Sequence, residues 1–429
     1  MFVGRLDEVN RLEAHLNQTR AGNPSNFMVT GERGIGKSSL LNYFKWVAEG
    51  TISPGTDPKA AALKFLVLDT DVDGTSSQVS LIRKFELALR QELAKSEPAR
   101  AFLKEAWRFL ERIEAKGVRL GKGSEHAVDE LLFDEFVYSL KETVDRICES
   151  GAATNFNAKY DGILILIDEA DSGAEQLQLG SFCKLLTERL ARRGCTQLMI
   201  GLAGLDSLRG VLARSHSSAP RIFDEVRLGR LTDKEVGQVV DLCLARAQRD
   251  NGVATTITEG ARQKIVLLSD GYPHFVQQFG FSAFAADDDN NIDDDDYRKG
   301  AFGKQGAMEQ IGDRYYRDDY YNKIQQDSYR QVLRLMADHL DRWVSKTELR
   351  SQFKGKTSTF DNALQALRER GIILSKEGER GVYRLRNKGF ALWIKLYTGD
   401  PEKFAVSLVE PKAPDGSSPQ ATTQEPSVQ

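Results

Sequence analysis

Eight consecutive residues, Gly31-Glu32-Arg33-Gly34-Ile35-Gly36-Lys37-Ser38, limit what this chain can fold into more than any other stretch. They follow a short apolar run, Phe27-Met28-Val29. They open into Ser39-Leu40-Leu41-Asn42-Tyr43-Phe44, whose apolar positions recur with a helical period. A strand, a glycine loop ending in Gly-Lys-Ser and then a helix is the setting a phosphate-binding P-loop requires. The glycines let backbone N–H groups curl around a phosphate, and the helix N-terminus adds partial positive charge. Residues Gly31 to Ser39, among them Glu32, Arg33, Gly34, Ile35 and Gly36, are therefore read as a nucleoside triphosphate cradle. Lys37 is placed to reach the terminal phosphates, and the Ser38 hydroxyl to ligate Mg²⁺. A glycine-rich turn matching by chance is the competing reading, and the full match in this context argues against it.

At 429 residues the chain has room for about three domains. With 41% hydrophobic and 28% charged residues it has the composition of a folded globular protein. A formal net charge of −3 argues against a protein that coats nucleic acid over its whole surface, while leaving local basic patches open. Cys148, Cys183, Cys195 and Cys243 are scattered, without a Cys-x-x-Cys pair, and read as reduced core thiols. No apolar run approaches the ~18 residues of a membrane span, and Arg5, Asp7 and Glu8 are not those of a signal peptide. A cytoplasmic protein without membrane contact is the expectation.

The pattern along the chain is that of an α/β fold. A helix is expected from Asp7 to about Thr19, and a second strand from Leu63 to Asp69. Asp69 to Gly74 mimics the first half of a calcium loop, but its twelfth position would be Ser80 instead of a bidentate Glu, so it is read as a strand-to-helix loop. Val79 to Cys148 reads as mostly helical, interrupted by a short hairpin at 117–121. Gly162-Ile163-Leu164-Ile165-Leu166-Ile167 is continuously apolar, as a parallel strand buried on both faces must be. A helix over Gln176–Arg193 and strands at Gln197–Leu202 and Glu225–Leu228 complete a parallel sheet.

From Thr232 the pattern turns helical. Thr232-Asp233-Lys234-Glu235 is a capping box, and further helices are expected at Glu259–Ser269 and Phe275–Ala286. Asp287 to Asp296 holds seven Asp in ten residues, read as a solvated linker or loop in preference to a metal site. Helices at Gln331–His339, Val344–Arg350 and Ser358–Arg370 then precede two short strands, 371–374 and 382–385, around a charged turn. Three helices followed by a hairpin is the order of a winged helix. Between Trp343 and Tyr397 there are twelve Lys or Arg against five acids. That basic balance suits duplex DNA, with Lys354, Lys356 and Ser358 opening a recognition helix and Arg380 and Arg384 on the wing. A winged helix used for protein contacts stands as the alternative. The expected division is an α/β core over 1–230, a helical lid with acidic linker over 231–325, a winged helix over 326–400 and a disordered tail over 401–429.

Asp168 and Glu169 end the buried apolar strand, where a nucleotide hydrolase needs carboxylates. There Asp168 would hold Mg²⁺, and Glu169 would orient and deprotonate the attacking water. A pair of acids merely ending a strand is the other reading.

Phe2-Val3-Gly4-Arg5, the P-loop, Leu166-Ile167-Asp168-Glu169-Ala170 and Gly271-Tyr272-Pro273 together resemble the AAA+ and STAND ATPases, within them the group related to replication-initiator ATPases. The resemblance spans roughly residues 1–397. It implies a P-loop NTPase sheet with a helical lid and a C-terminal winged helix, ATP and Mg²⁺ as cofactors, and a homo-oligomer or partner protein. It implies too that Phe2, Val3 and Arg5 lie beside the adenine, and that Gly271-x-Pro273 serves in the lid where other members carry a phosphate-sensing Arg. His274 would then approach the phosphates or make a local bond. An arginine finger given to a neighbouring subunit is implied shortly before the fifth strand, with Arg221 the first choice and Arg214 the second. One departure stands out: Gly201-Leu202-Ala203-Gly204 offers no polar side chain where such enzymes carry a γ-phosphate sensor, which is left unassigned. The expectation is an ATP-gated switch that turns over well only when assembled. A nucleotide-stabilised adaptor that hydrolyses little is the alternative.

Overall fold

The computed structural model describes residues 3–52, 62–93, 97–111, 130–149, 159–173, 175–340 and 342–398. The expected hairpin at 117–121, Phe2 and the tail over 401–429 lie outside them. The chain falls into two compact units, Met1–Arg246 with Gly271–Val276, and Ala247–Asp270 with Gln277–Gln429.

The first unit is built on five parallel strands in the order β2-β3-β4-β1-β5. They are β1 (Asn26–Thr30), β2 (Phe65–Asp71), β3 (Gly162–Asp168), β4 (Leu198–Gly204) and β5 (Phe223–Arg227). Strands β1 and β4 are buried along their whole length, and β3 up to Ile167, which is why their sequences are apolar without alternation. The two strands beside β1 bring the end of β4, Gly204, opposite Thr30 and the end of β5, Arg227, opposite the same residue. Helices α1 (Leu6–Arg20) and α2 (Lys37–Ala48) flank β1 in sequence. On the sheet, Leu68, Ile82, Phe85, Trp107, Phe136, Leu140 and Phe182 form one continuous core with Ile165 and Ile200. Trp107, buried at 1% exposure, still satisfies its indole N–H on Thr143 Oγ1 at 3.2 Å.

Element boundaries differ from expectation by a few residues. The helix expected from Gln176 begins only at Leu179, because Gln178 adopts a left-handed φ of 46° after a short 3₁₀ turn. Leu208–Ser215 forms a helix that the sequence reading left out. The thiols are unpaired and three are buried, which pushes Cys148 and Cys183 up to about 12 and Cys195 to about 11. Cys243, read as a core thiol, is exposed.

In the second unit the acidic run is an ordered part of the fold. Asn291–Ile292 pairs with Thr256–Ile257, and Asp293 caps the helix Asp294–Phe302 with a reciprocal capping box to Asp296. Asp294 and Lys264 form an ion pair at 2.6 Å. Carboxylates gathered at a helix N-terminus are stabilised by the helix dipole, so Asp293–Asp296 start a helix, while Asp287–Asn290 before them form the solvated loop that was expected. Two π-helical turns, Gly312–Tyr316 and Asp319–Lys323, precede helices Asp327–Ala337, Lys346–Gln352 and Thr357–Glu369. Val344–Ser345, expected to be helical, is the edge of an antiparallel sheet with Val382–Leu385 and Ile373–Ser375, and Ser345 caps the helix after it. A last helix, Lys388–Tyr397, packs Trp393 onto Tyr316 and Tyr320.

Candidate functional site

The loop between β1 and α2 turns sharply at Gly34 and Gly36, whose φ values of 79° and 99° are costly for any residue with a Cβ. Gly36 is also the N-cap of α2, and no side chain caps that end. The first-turn N–H groups of α2 thus remain available as donors beside the positive end of the helix. Ile35 is buried and anchors the loop, while Arg33, Ser38 and Ser39 are exposed. Lys37 folds back, its Nζ donating to the carbonyls of Gly31 and Glu32 at 3.1 Å each. Burial holds the Lys37 ammonium below its ordinary value, opposed by the carboxylates of Asp171, Glu169, Asp168 and Asp206 in that order.

Those carboxylates come from the ends of the neighbouring strands. Asp168 is the last residue of β3, in register with Asp71 of β2. Glu169 follows with φ 52°, exposed, its N–H donating to Asp168 Oδ1 at 2.8 Å. Ala170 N–H then donates to the Ala203 carbonyl at 2.8 Å, and Asp171 Oδ1 accepts from Leu205 N–H at 2.8 Å. Asp206 lies 3.5 Å from Arg227 at the end of β5. Lysine, uncapped amides and acidic groups therefore share the C-terminal edge of one parallel sheet.

Two further segments close on the loop. The Arg5 guanidinium, with a side chain 9% exposed, donates to the Ile35 carbonyl at 3.3 Å and to the Gly229 carbonyl, and pairs with Glu8 at 3.5 Å. It braces the loop; Val3 beside it in sequence is half-buried. Tyr272, from Gly271-Tyr272-Pro273, donates its hydroxyl to the Glu32 carboxylate. Arg230 donates to the same hydroxyl at 3.2 Å and lies 4.9 Å above the ring. Pro273 comes so close to Gly36 that a Cβ there would lie 3.7 Å from its Cγ.

The structure thus brings Gly31 to Ser39, Arg5, Pro273, Asp168 and Glu169 together. Arg221 does not join them. It is exposed on the 3₁₀ turn Ala219–Ile222 before β5, and Phe223 pairs with Asn26, the first residue of β1. A five-residue strand separates it from the loop, about 15 Å at the usual rise. Arg214 is exposed at the end of Leu208–Ser215. Sequence reasoning passed over Asp171, Arg230 and the Glu32–Tyr272 bond. Only Asp171 had a signal, as the second acid of Asp-Glu-Ala-Asp.

The model of the AAA ATPase domain family matches residues 1–208. No curated protein matches the chain. Among solved structures it is similar to the Aeropyrum pernix ORC2 protein (ADPNP–ADP complexes) at 15% identity and a TM-score of 0.51, covering 94% of this chain and 95% of that one. Similar too are Cdc6p from Pyrobaculum aerophilum, at 14% identity, TM-score 0.42 and coverages of 92% and 95%, and the Thermotoga maritima RuvB Holliday junction branch migration motor, at 12%, 0.40, 90% and 93%. The first of these likenesses speaks for the fold, a P-loop NTPase sheet wrapped by helices. The glycine loop and the acidic strand end both lie inside the span, residues 1–208, that the model of the AAA ATPase domain family matches.

Proposed function

We propose that this protein is an ATP-binding and ATP-hydrolysing switch of the AAA+/STAND type, acting on or near DNA through a winged helix in its second unit. The observation that carries the reading is the single sheet edge holding uncapped α2 amides, a half-buried lysine and a carboxylate pair. These residues fit Mg²⁺–ATP: amides and an ammonium suit phosphate oxygens, and a hydroxyl with a carboxylate suits a hard dication. Gly31, Glu32, Arg33, Gly34, Ile35, Gly36 and Ser39 would line the phosphates, with Lys37 at the terminal ones. Ser38 and Asp168 would hold Mg²⁺, and Val3, Arg5 and Pro273 would border the nucleotide. Bound, the cofactor supplies the γ-phosphoryl group and the dication's charge. Glu169, on the exposed turn after β3, is the base that takes a proton from water. Arg221, far from its own loop, is suited to a neighbouring copy.

Two variants test the site. Lys37→Ala should weaken ATP binding roughly ten- to hundredfold, the worth of a charged hydrogen-bonding group. Glu169→Gln should leave binding intact and lower turnover about 10²–10⁴-fold. Turnover unchanged in Glu169→Gln removes that residue as the base, and unchanged affinity in Lys37→Ala removes the nucleotide site.

For DNA, exposed Lys354, Lys356, Arg368 and Arg380 support the reading, the first two just before the Thr357–Glu369 helix and the last in the turn between strands. Arg384 is otherwise engaged, 4.8 Å above the Trp343 ring. Duplex binding followed by fluorescence anisotropy should weaken with salt. Substituting Lys354 and Lys356 by Ala should reduce the log–log slope by about two. Absent or salt-independent binding favours protein contacts instead. A slow adaptor gains support from the apolar end of β4, and turnover measured on the wild type separates it from the switch. The reduced thiols fit the cytoplasm, and no helix among the described residues is long and apolar enough to cross a membrane.

A further inference from the structure

The end of β4 poses a problem that the fold answers in an unexpected place. Gly204 lies opposite Thr30, the residue before the phosphate loop, so a side chain there would stand at the centre of the site. It has none. A Cβ built on Gly204 would come within 2.5 Å of Asp171 Oδ1 and 3.2 Å of Asp171 N. The space is therefore filled by a carboxylate that reaches over from the loop after β3.

We propose that Asp171 is a positioning residue of this site, standing in for the side chain that β4 lacks and fixing the Asp168–Glu169 turn against the end of β4. This rests on the ATPase reading above. Two hydrogen bonds cross from the one loop to the other: Ala170 N–H to the Ala203 carbonyl and Leu205 N–H to Asp171 Oδ1, both 2.8 Å. They come immediately after Glu169, whose left-handed φ of 52° persists only where its surroundings over-determine it. The first bond fixes the level of the turn, and the second fixes its rotation. Among the carboxylates acting on the Lys37 ammonium, Asp171 is foremost, which puts its charge inside the site. A carboxylate with one oxygen on a backbone N–H, beside a polyanion's seat, acts by holding the loop and not by touching phosphate.

The test compares Asp171→Ala, Asp171→Asn and Gly204→Ala in the full-length protein, by turnover, Mg²⁺–ATP affinity from calorimetry and hydrogen exchange of the Leu205 amide. Asp171→Ala should lower kcat about a hundredfold, as a misplaced reacting group does, leave ATP affinity nearly unchanged and speed Leu205 exchange. Asp171→Asn keeps an acceptor for Leu205 and should retain both protection and most turnover. Gly204→Ala, which adds only a methyl where the carboxylate sits, should reproduce the Asp171→Ala pattern, and it carries the test if Asp171→Ala does not fold. Wild-type turnover and Leu205 protection in Asp171→Ala or Gly204→Ala would overturn the proposal. So would an Asp171→Asn protein that loses turnover while Leu205 stays protected, since charge would then be the working property. A wild type that neither binds nor hydrolyses Mg²⁺–ATP overturns the ATPase reading itself, a result distinct from either.

Discussion

Tyr272 is 2% exposed, yet its hydroxyl is aimed at the Glu32 carboxylate of the phosphate loop while Arg230 covers its ring. A phenol donating to a carboxylate in a half-buried setting is a charge-assisted bond, of the stronger kind. Tyr272→Phe keeps the ring and removes the donor. It should lower the unfolding free energy by about 1–2 kcal/mol and the melting temperature by a few degrees, with a severalfold loss of ATP affinity as the loop loosens. Thermal melts and calorimetric titration check this; a variant that matches the wild type in both would detach Gly271-x-Pro273 from the loop. None of this pairing was legible in the sequence. The motif marked Gly271 and Pro273 and left the residue between them as a blank, because a contact across 240 positions has no local signal.

At the scale of elements, α1 is tied to β5 by side chains that the helical pattern treats as mere polar positions. Arg11 Nε donates to Asp224 Oδ2 at 2.7 Å, and His15 Nε2 lies 3.0 Å from the same oxygen, with its Nδ1 2.7 Å from Ser25 Oγ. The hydrogen bond from Arg11 above all, with its charge and the His15 contact behind it, holds the Asp224 carboxyl below the usual carboxylate range. A depressed folded-state pKa stabilises the protein above the unfolded value and loses that contribution as pH falls through the folded one. Wild-type melting temperature should therefore drop below about pH 4 more steeply than that of Asp224→Asn. Parallel acid limbs would show that the brace carries no linked stability, and with a side chain 38% exposed the difference is expected to be modest. Among the elements of the second unit that escaped the sequence reading are the two π-helical turns. Arg330 closes the second of them by donating to the carbonyls of Tyr320, Ile324 and Tyr321 at 3.1, 2.9 and 2.9 Å. A π turn differs from an α turn by one residue of hydrogen-bond register, which apolar spacing over five residues cannot resolve.

For the whole molecule the informative distance is the one between the two ends of the sheet. The phosphate loop is at the strand ends and Arg221 at the strand starts, so one chain cannot bring both to one phosphate. If Arg221 completes a neighbour's site, turnover per chain should rise with protein concentration, and Arg221→Ala should remove that rise, lowering kcat by about 10³-fold or more while ATP affinity holds. Activity measured across a dilution series, with sedimentation on the same samples, checks it; a turnover per chain that stays constant with concentration would leave Arg221 a surface residue. By itself the sequence determined the parallel sheet, the loop and the acid pair. Each is a local pattern: burial on both faces makes a strand continuously apolar, and a tight turn around phosphate demands glycine at fixed spacing. Only the tertiary structure decided what surrounds them. It showed that Arg5 braces the loop, that the acidic run caps a helix, and that Asp171 fills the space above Gly204. These are contacts between side chains and distant backbone, set by how strands and helices pack, and no spacing along the chain encodes them.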